Sequence, residues 1–97
     1  MTQHQLSDDH VIAWIHAQVD DEEAQFERSQ TVVEKMELFS TTSMDVLNAL
    51  RTSYAVVDRY EVHCYVVRGR DLDGEVMHVV VAPPSAKNRL RVVNIWF

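Results

Sequence analysis

The sequence predicts an α+β fold: N-terminal helices packed on a three- to four-stranded antiparallel sheet. Three observations carry this. Apolar residues recur at helical spacing as far as Thr52, and from Tyr54 onward the texture becomes that of strands. Asp73-Gly74 lies between two Val-rich runs, and Asp-Gly supplies the positive φ that hairpin turns need. Helical segments are grouped ahead of the strands rather than alternating with them, which argues for helices on one face of the sheet.

Ser7 can cap a first helix whose opening turn holds Asp8 and Asp9, both favourable at the positive end of the helix dipole. Val11, Ile12, Trp14, Ile15 and Val19 give it an apolar face over about three turns. Asp20-Asp21-Glu22-Glu23 closes it, because dense negative charge is unfavourable at a helix C-terminus. Phe26, Val32, Val33 and Met36 predict a second helix. It begins either near Asp21 or near Ser29 after a short extended piece. Ser40-Thr41-Thr42-Ser43 interrupts the pattern. Thr42 with Asp45 forms a capping box, with Asp in place of the usual Glu, ahead of a short third helix through Val46, Leu47 and Leu50.

Tyr54 to Val57 reads as a short edge strand. Glu61 to Val67 and Glu75 to Ala82 are the arms of the hairpin, and Pro83-Pro84 ends the second arm because proline cannot donate to a ladder. Leu90 to Phe97 is the last strand. A two-residue turn pairing Leu72 with Glu75 puts Gly69 opposite His78 and Arg68 opposite Val79. His63, Tyr65, Val67, His78 and Val80 then share one face, while Arg68 and Arg70 share the other. Along the last strand, alternation places Leu90, Val92 and Trp96 on one face and Val93, Ile95 and Phe97 on the other. A strand apolar on both faces is normally covered on both, and a closing strand can lie at a sheet edge. A homodimer or a docked partner anchored on Trp96 and Phe97 is therefore expected.

The chain has 97 residues, of which 46% are hydrophobic. That is the size and composition of one globular domain, helical and acidic over 1–52 and an antiparallel meander over 54–97. Its one cysteine, Cys64, cannot form an internal disulfide, which points to a reducing compartment. The polar opening, Met1 to Leu6, is unlike a secretory leader, and no run approaches the roughly 20 apolar residues of a membrane span. A soluble cytoplasmic protein with no membrane partner is the expectation. Charge is divided unevenly. Residues 1–50 carry ten acids against two bases, a net of −8, and residues 51–97 carry five acids against seven bases, a net of +2. An acidic protein is repelled from nucleic acid at long range, but its basic half can still hold a few phosphates.

Gly69-Arg70-Asp71-Leu72-Asp73-Gly74, followed by Glu75-Val76-Met77-His78-Val79-Val80-Val81, is the sharpest local signal. It comes after Asp45-Val46-Leu47-Asn48-Ala49-Leu50, Val56-Val57-Asp58 and Tyr65-Val66-Val67. Together these resemble the small bacterial DUF4258 family over roughly Ser29 to Phe97. That family is similar in turn to the motility quorum-sensing regulator toxins of the RelE-like group. The resemblance implies helices packed on an antiparallel sheet. It also implies a toxin that acts on mRNA or translation, is restrained by a cognate antitoxin, and cleaves RNA without metal. The match is incomplete. Thr31 stands where the family usually carries His, and Phe39 where it has Arg. Lys35 keeps a basic residue, and Arg51 aligns near a catalytic-type Lys. Met77, Cys64 and Phe97 replace the Tyr, Gln and terminal Lys of the quorum-sensing toxins.

Metal-independent RNA cleavage needs a base for the 2′-hydroxyl, cations for the phosphate and an acid for the leaving oxygen. The candidates for catalysis are His63, His78, Arg51 and Lys35. Arg68, Arg70, Arg59 and Tyr65 interleave cations with aromatics and are candidates for binding RNA, the ring stacking on bases. No metal or other cofactor is expected. His10 and His16 are about 600° apart around a helix, and His63 and His78 have no carboxylate at ligand spacing. The alternative expectation is a catalytically inactive member of the fold that binds a protein partner.

Overall fold

The computed structural model describes residues 7–20, 26–60, 64–82 and 90–97. Among them the chain forms α1 (Asp8–Val19), β1 (Phe26–Arg28), α2 (Gln30–Leu38), α3 (Ser43–Arg51), β2 (Ala55–Tyr60), β3 (Cys64–Arg70), β4 (Val76–Ala82) and β5 (Leu90–Trp96). The class is α+β, as expected, and the helices start where their caps predict. Ser7 accepts from the His10 amide. Thr42 and Asp45 close a reciprocal capping box on α3. Ser29 accepts from the Val32 amide, which starts α2 at the later of the two expected positions.

The sheet differs from the expected antiparallel meander. It has five strands in the order β1-β5-β4-β3-β2, and β1 runs parallel to β5. Phe26 therefore lies in the short extended piece ahead of α2, the second of the two expected arrangements, and that piece is a paired strand. The Ser29 amide donates to the Val92 carbonyl at 3.1 Å, so the chain entering α2 lies extended along β5. The closing strand is consequently not a bare edge: β1 covers Leu90 to Val92, and Ser29 Oγ donates to the Val93 carbonyl beyond it at 2.7 Å.

The hairpin turn lies where Asp73-Gly74 predicts, but its loop has three residues rather than two. Asp71 and Glu75 are the closing pair, with the Asp71 amide on the Glu75 carbonyl at 2.9 Å and the Gly74 amide on the Asp71 carbonyl at 3.0 Å. Gly74 takes the positive φ, 84°. A buried Asp71 side chain accepts from the amides of Asp73 and Glu75, holding the longer loop. One added loop residue shifts pairing by one and reverses which side chains share a face. Arg68 thus pairs with His78, not Val79, and lies on the same face as it. Tyr65 and Val67 turn toward the helices, away from His78 and Val80.

A bulge at Val93 changes β5 in the same way. Val92 pairs with Val81 but Asn94 pairs with Val80. Leu90, Val92 and Ile95 therefore enter the helix-side core, while Val93 and Trp96 pack on the outer face. The expected grouping of Trp96 with Leu90 and Val92 is corrected by this extra residue.

Val11 and Ile15 of α1, Val32 of α2 and Val46 and Leu50 of α3 meet Val67, Met77 and Val79 in the main core. Helix α3 lies directly against the sheet at Gly69, where a Cβ would overlap the Ala49 carbonyl. The Asn48 side chain donates to the Arg70 and Asp71 carbonyls, and Thr52 Oγ1 accepts from the Arg70 amide. Asp45 Oδ1 accepts from the Leu72 amide. No helix among the described residues is long and apolar enough to cross a membrane.

Two outcomes follow from this docking. Gly69→Ala is expected to destabilise the fold by at least about 2 kcal/mol in urea unfolding, because the clash is with backbone and only a shift of α3 relieves it. Hydrogen bonds from Thr42, together with the Leu72 amide, hold the Asp45 carboxyl below its ordinary value despite partial burial. The lowered pKa means that the stabilisation is complete above the unfolded-state value and is lost as pH falls through the folded-state value. The stability gap between parent and Asp45→Asn should therefore hold constant above about pH 5 and narrow below about pH 4 in denaturant titrations.

Candidate anion-binding face of the sheet

Strand alternation leaves Val66, Arg68 and Arg70 of β3 and Val76, His78 and Val80 of β4 on the face away from the helices. Val66 and Val80 join Cys64 and Ala82 in a buried apolar floor. Beside it, Arg68 Nε donates to His78 Nε2 at 3.4 Å. On the other side of His78 its β5 partner Trp96 stacks, the rings 5.7 Å apart and inclined by 11°. From α2, Lys35 reaches round the side of β5 beyond β1. Its Nζ donates to the Ile95 carbonyl at 3.1 Å and lies 6.0 Å from the centre of the Trp96 ring. Arg68, His78, Trp96 and Lys35 thus form a row across the sheet.

Two features of this row bear on chemistry. His78 Nδ1 is buried and has no hydrogen-bond partner. Arg70, two residues along β3, is exposed, and its Nη1 donates to the Gly74 carbonyl at 2.9 Å. Among the described residues neither Arg68 nor Arg70 pairs with a carboxylate; the ion pair recorded there joins Arg59 to Asp8.

The other candidates lie elsewhere. Arg59 sits 4.7 Å over the Tyr65 ring and 3.0 Å from the Asp8 carboxylate, so this pair clips α1 to the helix side of the sheet. Arg51 Nε donates to the Val19 carbonyl at 2.8 Å, satisfying the C-terminus of α1 within the helical layer. Phe97 is exposed and meets Phe39 edge to face at 5.7 Å. His63 lies outside the described residues. Met77, aligned by resemblance with a catalytic-type Tyr, is wholly buried on the helix side. Sequence reasoning missed the tie between α1 and the start of β2, where His16 Nε2 lies 2.9 Å from the Ser53 carbonyl. Nothing in the local pattern marks it, since 37 positions separate the two residues. Among the described residues no three His, Cys, Asp or Glu side chains group as a metal site.

The family model of a domain of unknown function, DUF4258, matches residues 29–97, from the α2 cap through β5. The chain belongs to the DUF4258 family. All four residues of the row fall inside the DUF4258 match, whereas α1 and β1 precede it. No curated protein and no solved structure matched the chain.

The Lys35 geometry predicts a structural contribution from this DUF4258 residue. Lys35→Met keeps the aliphatic stem but leaves the Ile95 carbonyl without its charged donor. A loss of about 1–2 kcal/mol is expected in urea unfolding followed by tryptophan fluorescence.

Proposed function

We propose that the outer face of the sheet binds single-stranded mRNA through its phosphates and cleaves it without metal, as a RelE-like toxin-type domain restrained by a cognate antitoxin. The Arg68–His78 pair is the observation that carries this reading. With the phosphate bound, His78 is the imidazolium: O2′ attacks the adjacent phosphorus and gives its proton to water, the O2′–P bond forms, the P–O5′ bond breaks, and His78 Nε2–H gives its proton to the leaving 5′-oxygen. Arg68 and Arg70 hold the charge that builds on the phosphoryl oxygens. The charge division supports this placement. The strongly acidic half of the sequence supplies the helices and β1, whereas Arg68, Arg70 and His78 stand on the opposite face of the sheet. The site is built differently from the one the toxin resemblance implies, since the Met77 position faces the core.

A second reading is an inactive domain that binds a protein partner or a second copy of itself. The exposed Leu38, Phe39 and Phe97 at the end of α2 favour it, as large apolar side chains gathered at one end of the fold. Induced expression in bacteria separates the two. The proposed function expects growth arrest and mRNA loss, both abolished by joint replacement of Arg68 and Arg70 with Ala, with a nearly unchanged melting temperature. Arrest that persists in this variant, or a parent protein that neither arrests growth nor cuts RNA, would overturn it.

A further inference from the structure

The geometry points to an oxyanion site between Arg68 and His78 whose occupancy is coupled to protonation of His78, the anion replacing their direct hydrogen bond. This inference rests on the phosphate reading above and names what the pair would recognise: a tetrahedral phosphoryl-type oxyanion.

The argument begins with donors and acceptors. A guanidinium only donates, and it stays protonated in proteins. Neutral imidazole has one donor and one acceptor nitrogen. With its proton on Nδ1, His78 accepts from Arg68 but buries an N–H that has no partner. A buried donor without an acceptor loses its hydration and gains nothing in return. With its proton on Nε2, two donors oppose each other across 3.4 Å. The doubly protonated ring does both. No protonation state suits the pair alone.

An anion oxygen seated between them resolves the conflict at Nε2. It accepts from Arg68 Nε and from His78 Nε2–H at once, and Arg70 lies on the same strand face to share its charge. Among the described residues the charged groups that flank the ring are Arg68 of β3 on one side and Lys35 of α2 across the Trp96 ring of β5 on the other, while the carboxylate of Asp58 on β2, on the same face, stands opposite Val66 and accepts from the Arg59 amide. Neither β4 nor β5 brings a carboxylate to the ring. An anion is the missing counter-charge. It binds the imidazolium more tightly than the neutral ring, and by reciprocity anion binding raises the proton affinity of His78 by the same factor. The parallel Trp96 face adds a π surface that favours a cationic ring.

Sulfate is the suitable probe because it remains a dianion across the range in which histidine titrates. The test follows histidine Cε1–H signals by NMR against pH, first in chloride and then in sulfate at equal ionic strength, with His78→Gln assigning the His78 signal. Near saturation sulfate should raise the His78 midpoint by about one unit, corresponding to about tenfold tighter binding to the imidazolium form. Exposed His10 should move little, and Arg68→Gln should abolish the shift. A His78 midpoint that moves no more than that of His10 in the parent protein overturns the inference. An equal shift in folded Arg68→Gln also overturns it. A short oligouridylate separates the two levels of the claim. Sulfate coupling without displacement by the oligouridylate leaves the anion site standing and removes the RNA reading. Oligouridylate binding that leaves the His78 midpoint unmoved keeps the RNA reading and removes the coupled site.

Discussion

The close approach of α3 to β3 at Gly69 is the constraint on which the remaining geometry depends. Only a residue without a Cβ leaves room for the Ala49 carbonyl, so helix and strand backbones meet there. At that separation Asn48 and Thr52 reach the Arg70 and Asp71 backbone, and Asp45 reaches Leu72. The helix thereby grips the hairpin loop as well as covering the sheet. The loop it holds has three residues, and that count is what turns Arg68 and His78 to the same side.

The same economy of contacts governs the other side of the sheet. Sheet edges expose unpaired backbone groups, and proteins cover them with short strands or charged side chains. Here β1 pairs with only the first part of β5, and Ser29 and Lys35 donate to carbonyls farther along. Covering β5 brings an ammonium to Trp96, and Trp96 in turn stacks on His78. A device that protects backbone thus adds positive charge to a row that already holds Arg68. In this arrangement Lys35 serves structure first, and its bearing on an anion is through the field it contributes across the indole.

The candidate residues divide according to how local their cause is. Arg59 and Arg51 look like free cations in the sequence, yet one is bound to the Asp8 carboxylate and the other donates to the Val19 carbonyl. Those partners lie 51 and 32 positions away, beyond the reach of any local pattern. Arg68 and His78 were both legible as candidates, but two-residue turn geometry placed them on opposite faces. Asp-Gly marks where a hairpin reverses without stating whether two or three residues form the loop, and strand parity magnifies that difference into opposite faces.

By itself the sequence determined the helices, their caps, the hairpin position and the α+β class. These depend on interactions within a few residues: Ser7 with His10, Thr42 with Asp45, and apolar spacing along each element. Only the tertiary structure decided the parallel pairing of β1, the bulge that turns Ile95 inward, and the row from Arg68 to Lys35. Each is settled by contacts between distant segments. A three-residue strand has too little pattern to announce itself, and a single inserted residue reverses every face that follows it.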